Sequence, residues 1–286
     1  MNRRIGKLAR IPLLALCCVM LLVGCATVDK TSMTKFQEGV ATVRQNSQAL
    51  FLDYNAFVRE MQLERAVNLS RLTESDVAAG LDAESQARWS TALDALALYA
   101  SSLQLLASPS SGEGVQANLT NLGNRIIALA PSPGGGAQAA NEAIGHLGNI
   151  IVQQAANAKA LEVARTADPA VRNVLGHMAD MVGSDHASGL RGTMWSNWTT
   201  KSTGHQVRFL APGADKRKVA AEYAQALDSR QAHDTSLAAL RASLLDLADL
   251  HTAAAQGRTA DAETIVATLR QEVAFARQLV STATAP

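Results

Sequence analysis

Along most of the chain, apolar side chains recur in alternating steps of four and three. From Phe36 the series reads Phe36, Val40, Val43, Ser47, Leu50, Tyr54, Phe57, Met61. That spacing draws one stripe along a helix, whereas a strand alternates every second residue. It predicts a first long helix, opened by Thr34 and Gln37 at capping-box spacing and closing near Ser70. Thr73 with Asp76 predicts a short capped turn ending at Gly80. A second helix is expected from Asp82, with the seam Trp89, Leu93, Leu96, Ala100, Leu103, and the segment 108–112 breaks it. A third carries Leu119, Leu122 and Ile126 as far as the Pro- and Gly-rich segment 131–136. A fourth carries Ile144, Leu147, Ile151, Ala158 and Leu161. Asp168-Pro169 reads as an N-cap followed by proline at the first helical position, opening a fifth helix through Val171, Val174, Met178 and Met181.

Residues 184–215 look least regular, with Gly189, Gly192, Gly204, Pro212 and Gly213, and leave room for a short helix through Leu190, Met194 and Trp198. A long helix is expected from Asp215 to Ala255, with the seam Val219, Tyr223, Ala226, Arg230, His233, Leu237, Leu240, Leu244, Leu247. Gln256-Gly257 ends it, and Thr259 opens a last helix through Val266, Leu269 and Val273. Strand-like alternation never persists. The expected fold is therefore all-α: an elongated antiparallel up-and-down bundle with coiled-coil-like long helices, in one domain spanning 34–286. The hairpins at 82–130 and 226–280 share a spacing, which fits either an ancient duplication or the ordinary likeness of amphipathic hairpins.

The first 25 residues follow another logic. Arg3, Arg4, Lys7 and Arg10 precede an apolar run over 11–23. That run is shorter than the ~20 residues that span a bilayer, and it has the layout of a secretory leader. It ends Leu22-Val23-Gly24-Cys25, which resembles the lipobox of bacterial lipoproteins. The resemblance covers about the first 26 residues. It implies cleavage between Gly24 and Cys25, a diacylglycerol on the Cys25 thiol and a fatty acyl group such as palmitate on its new amino group. Residues 1–24 would then be a signal peptide and 25–33 a lipidated tether. In Gram-negative lipoproteins an Asp after the cysteine commonly retains the protein in the inner membrane. Here residue 26 is Ala, which points to the periplasmic face of the outer membrane.

Composition narrows the field. Cys17 and Cys18 leave with such a leader, and Cys25 is consumed by lipid, so no disulfide is expected. Residues 25–286 carry 22 cations and 25 anions, a net charge of −3. A weakly acidic surface with 4% aromatics does not suit nucleic acid.

Familiar catalytic patterns are missing: no His-Glu-x-x-His, no Gly-x-Ser-x-Gly and no Walker loop. Ser32-x-x-Lys35 lacks the partner motifs of acylated-serine enzymes, and Gly134-Gly135-Gly136 has no nearby cation to hold a phosphate. His177, Asp180, Asp185 and His186 crowd one stretch, but His186 falls on the opposite face of a continuous helix from His177. They read as surface residues rather than a metal site, and no metal or cofactor beyond the lipid on Cys25 is expected. Two features stand out. Arg230 and His233 occupy successive seam positions where Leu is the rule, Ser47 interrupts the first seam and Glu64 falls where it would continue. These four suggest either a register-fixing polar layer facing the first helix or a polar-lined cleft. Trp195 and Trp198, beside Arg191, Lys201 and Arg208, suggest a protein interface or a plug at the end of the bundle.

The expected function is non-enzymatic: a membrane-tethered periplasmic bundle that binds or scaffolds another envelope component, a protein by preference. The competing expectation is an envelope enzyme or small-ligand-binding lipoprotein with its cleft near Arg230 and His233. Cys25→Ser should abolish incorporation of a labelled fatty acid and leave a precursor that keeps its leader. Equal labelling of the variant would exclude the lipobox.

Overall fold

A computed structural model of the chain describes residues 30–107, 113–129, 138–154 and 159–283. Gly24, Cys25, Ala158 and the breaks at 108–112 and 131–136 lie outside those residues. Among the described residues there are eight α-helices and no strand: α1 Lys30–Asn68, α2 Ala83–Leu106, α3 Glu113–Leu129, α4 Gln138–Gln154, α5 Ala160–Val182, α6 Gly189–Leu210, α7 Lys216–Ala255 and α8 Thr259–Ala283. A 3-10 turn at Glu74–Val77 follows α1.

Local chemistry sets several ends. The Asp76 carboxylate accepts from the Thr73 N–H at 3.0 Å, closing the turn as its spacing predicts. Asp82 caps α2 by accepting from the Ser85 N–H at 2.7 Å, and Asp215 caps α7 by accepting from Lys218 at 3.0 Å. Gly257, with φ of +74°, ends α7 in a conformation that costs other residues strain. Every member of the seam from Phe36 to Met61 is buried.

Three expectations are corrected. α1 already includes Lys30, and Met33 is fully buried, so the apolar face holds the helix one turn before Thr34. Thr34 and Gln37 lie inside it and both receive the Gln104 amide of α2, at 3.3 and 2.8 Å, instead of capping an end. Asp168-Pro169 opens no helix either: α4 ends at Gln154, and Pro169 sits inside α5. An interior proline costs about 3 kcal/mol. Burial of Leu161, Val163, Ala164 and Ala167 before it and Val171 and Val174 after it offsets that cost, because one apolar face runs through the proline. Finally, 184–215 is mostly helix. The stripe of Leu190, Met194 and Trp198 continues at Lys201 and His205, both buried, so the seam is real but partly polar.

Contacts between helices give the arrangement. Phe51 packs edge-on against Trp89, Gln37 reaches Ser101 and Gln104 reaches Thr34, so α2 runs opposite to α1. α7 also opposes α1: Phe57 stacks on His233, while Gly39 lies where a Cβ would meet Leu247 at 2.9 Å. Its missing side chain lets the two longest helices approach. α5 pairs with the last part of α7, through Arg165 to the Ala255 carbonyl and Arg172 to Asp249. α6 pairs with the first part, through Asp234 to Arg191 and Tyr223 to Trp198. α5 and α6 thus follow each other along α7, separated by a turn in which Gly183 has φ of +98°. In consequence α6 runs the same way as α1: Tyr54 donates to the Leu190 carbonyl, Glu60 pairs with Lys201 and Glu64 lies near Arg208. α8 folds back on α7 and ties to α1 through Arg270 and Glu38. α3 and α4 cross where a Cβ on Gly148 would lie 2.7 Å from the Gly123 carbonyl oxygen, so the two backbones touch.

The bundle is therefore unequal along its length. The half holding the start of α1 gathers α2, α5, the end of α7 and α8, with α4 against α5. The other half is built from α1, α6 and the first half of α7.

Buried polar groups tie the thick half together. Asp168 of α5 accepts from His251 Nδ1 of α7 at 2.8 Å and from Thr252 Oγ1 at 2.9 Å. With its proton on Nδ1, neutral His251 presents Nε2 as an acceptor, and the Tyr99 hydroxyl of α2 donates to it at 2.9 Å. Phe36 of α1 packs its ring on the same imidazole at 5.1 Å. His251 continues the Leu240, Leu244, Leu247 register by one step of four.

Burial pushes the His251 imidazole below its ordinary 6.5, against the opposing pull of Asp168. Burial would raise Asp168, but the hydrogen bonds from His251 and Thr252 outweigh it and leave its carboxyl lowered. Burial also lowers His205 and His233. Groups depressed in the folded state bind protons more readily in the unfolded chain, so stability is complete above the ordinary histidine value and falls as pH drops below it. Thermal melts should show Tm level above about pH 7 and declining toward pH ~5.5. His251→Gln should lower Tm at pH ~8 yet flatten that decline. An unchanged slope would mean that His251 protonates freely in the folded protein.

Candidate functional site

The slender half carries the polar seam. Its three helices bring together side chains that ordinary core packing would exclude. His233 is 1% exposed and stacks on Phe57 of α1, ring centroids 4.4 Å apart at 7°, with Nδ1–H donating to the Ser229 carbonyl. The expectation that it faces α1 holds. Arg230 does not: it turns to α6, its guanidinium 4.2 Å from the Trp195 ring and 5.3 Å from that of Trp198. No carboxylate pairs with it among the described residues, and its buried Nε has no hydrogen-bond partner. The Arg230 guanidinium is a flat cation that packs on aromatic faces.

The acidic partner at this level belongs to Arg191. Asp234 receives two parallel bonds from Arg191, at 2.8 and 3.1 Å, and a third contact from His186 Nε2 at 3.1 Å. Burial would raise the Asp234 carboxyl, and the Arg191 and His186 contacts overcome it to leave it lowered. His186 in turn packs on Trp195, centroids 4.0 Å apart. Trp195, Trp198, Arg191, Arg230 and His233 thus form one cluster at the α1–α6–α7 junction rather than two separate features. Ser47 does not join it. Its hydroxyl donates to the Arg44 carbonyl of its own helix at 3.0 Å, on the part of α1 that faces α2.

Glu64 belongs to a second cluster, farther from the start of α1. Lys201 is buried, pairs with Glu60 and lies 3.8 Å from Glu64. Arg208 bridges Glu64 at 3.7 Å and Glu222 at 3.0 Å, and donates to His205 Nδ1 at 2.7 Å. Because Arg keeps its protons, His205 Nδ1 accepts and Nε2 carries the hydrogen. That N–H is buried with no partner in hydrogen-bond range among the described residues, and the nearest Glu64 oxygen is 3.9 Å away. Burial lowers the His205 pKa, with Glu64 opposing, in keeping with a neutral ring. His205, Phe209, Leu210, Val219 and Tyr223 line an open cleft of about 380 Å³ between the end of α6 and the start of α7.

The sequence sets Lys201 and Arg208 beside the tryptophans, but it did not reveal His205 or the grouping of all three with Glu64. Their signal is present in the steps Trp198, Lys201, His205, but a lysine and a histidine on an apolar stripe look like the stripe's end. Asp234 left no signal, since only the fold brings it to Arg191. His177 and Asp180 are exposed, and His186 turns to Asp234; among the described residues no three His, Cys, Asp or Glu side chains are grouped as metal ligands.

No family model, curated protein or solved structure matches this chain.

The two clusters predict a contrast. Asp234→Asn strands Arg191 and should cost about 2 kcal/mol in denaturant melts. Arg230→Leu loses only ring contacts and should cost about 1 kcal/mol or less. The reverse order would mean that Arg230, rather than Arg191, holds the junction charge.

Proposed function

We propose that the chain is a lipid-tethered, non-enzymatic bundle on the periplasmic face of the outer membrane, whose slender end engages another envelope component. The observation behind this reading is where apolar surface is exposed. Of eleven large apolar side chains exposed among the described residues, seven belong to the slender end. Leu63, Val67, Leu69 and Leu72 come from the end of α1 and the segment after it. Val207, Phe209 and Leu210 come from the end of α6. Such clustering marks a contact surface, whereas isolated exposed Leu residues do not. The tether enters α1 at the opposite end. From Lys30 to Glu64 the helix rises about 50 Å, so lipid and contact surface are held well apart.

A second reading, a small-ligand lipoprotein, draws on the cleft beside His205 and Tyr223 rather than on Arg230 and His233, whose side chains are packed on Trp195 and Phe57. Its polar lining is slight, from His205, Gln206 and Tyr223.

A photo-crosslinking residue in place of Leu210 or Val67 should capture the same envelope species in intact cells, while one in place of Leu245, exposed on the thick half, should not. Identical products from all three positions would remove the slender-end reading.

A further inference from the structure

The slender end ends in a hairpin of mixed chemistry. The last turn of α6 exposes Val207 by 65% and Leu210 by 76%, and the connection continues Ala211-Pro212-Gly213-Ala214 without a charge. After Asp215, α7 begins Lys216-Arg217-Lys218, the only run of three like charges in the chain. All three are exposed and none forms an ion pair among the described residues. Lys216 lies over the Phe209 ring at 5.6 Å, which joins the cationic and apolar parts. Residues 207–218 hold four cations and one anion, a net +3, within a chain whose residues 25–286 sum to −3. The local charge is therefore opposite in sign to the net charge of residues 25–286. It is also placed at a helix N-terminus, where the macrodipole disfavours cations. No ion pair among the described residues accounts for it.

We infer that this hairpin docks on an anionic phospholipid surface, with Val207, Phe209 and Leu210 entering the interface and Lys216, Arg217 and Lys218 meeting the headgroups. The inference rests on the proposed slender-end contact and names what that contact meets. The hairpin's own exposed apolar side chains are three of the seven at the slender end, and its three unpaired cations suit a headgroup layer, because a few apolar groups, a basic patch and a separate acyl anchor add together at a membrane. With lipid at one end of α1 and this hairpin at the other on the same bilayer, α1 lies along the membrane.

The test uses a chain begun at Ala26, which keeps every described residue, mixed with vesicles of phosphatidylcholine alone or containing phosphatidylglycerol. Binding should favour the phosphatidylglycerol vesicles by tenfold or more at low salt, and weaken in about 0.5 M salt. The combined Lys216→Gln, Arg217→Gln, Lys218→Gln variant should bind about a hundredfold more weakly, since each cation near such a surface contributes about fivefold. Val207→Ser with Leu210→Ser should weaken the binding that remains at high salt. Circular dichroism checks that each variant, altered only at exposed positions, is folded. Wild type without preference for the anionic vesicles, or a triple variant that binds as well as wild type, overturns the proposal. If wild type ignores both vesicles while Leu210 still crosslinks to a protein in cells, the lipid assignment falls and the slender-end contact stands.

Discussion

A helix of 40 residues cannot bury its apolar stripe against a short neighbour, and this constraint organises the whole molecule. α7 is that helix, and α1, of 39 residues, is its one full-length partner. The remaining side of α7 is covered in two pieces, α5 and then α6, set end to end across the Gly183 turn. The approach at Gly39 lets α1 and α7 come close enough for Leu247 and Leu250 to interlock with α1. Everything else is added to one half of this frame. α2, α4 and α8 pack where α5 lies, and the half that α6 covers receives no such layer.

That asymmetry decides which polar groups are structural. In the thick half His251 has no exposure, and each of its nitrogens is satisfied from a different helix. An unmade bond there would leave a buried group short at a cost of about 1–3 kcal/mol, so Tyr99, His251 and Asp168 fix how α2, α5 and α7 register. Tyr99 and His251 are wholly buried, while the Asp168 carboxylate is partly exposed. In both halves some buried polar atoms lack a hydrogen-bond partner among the described residues, Trp89 Nε1 and Arg241 Nε in the thick half and His205 Nε2 and His233 Nε2 in the slender one. Among the described residues of the slender half, Arg230 rests on tryptophan faces with one nitrogen unpartnered, the Trp195 N–H is unpartnered too, and Lys201 and Arg208 share Glu64. Three helices enclose too little volume for an all-apolar core of normal width, and long cationic side chains fill the edge while their heads reach acids near solvent.

A bundle that tapers in this way separates two tasks. The thick half supplies stability without disulfides through Ala-rich, closely packed helices. The slender half supplies surface, and its apolar and cationic residues lie where no further helix among the described residues covers them. The proposed tether at the opposite end of α1 suits a protein that touches the envelope at two separated points. The lipid would supply one contact and the α6–α7 hairpin the other.

How much of this the sequence determined follows from what a repeating period can encode. The all-α class, the length of α1 and α7, the caps at Asp82 and Asp215 and the stop at Gly257 are local matters of spacing, capping and backbone freedom, and they are legible one segment at a time. So is the burial of His233, because it falls in an apolar register. Where a seam turns polar, the period stops speaking: Lys201 and His205 hid the second half of α6, and Asp168-Pro169 looked like a boundary because its capping chemistry is the same whether the carboxylate serves its own helix or another. Partner choice is not local at all. That Arg230 lies on tryptophans while Arg191 takes Asp234, that Tyr99 meets His251, and that α5 and α6 share one face of α7 were decided only by the tertiary structure, because a stripe states which face is buried and says nothing of which helix buries it.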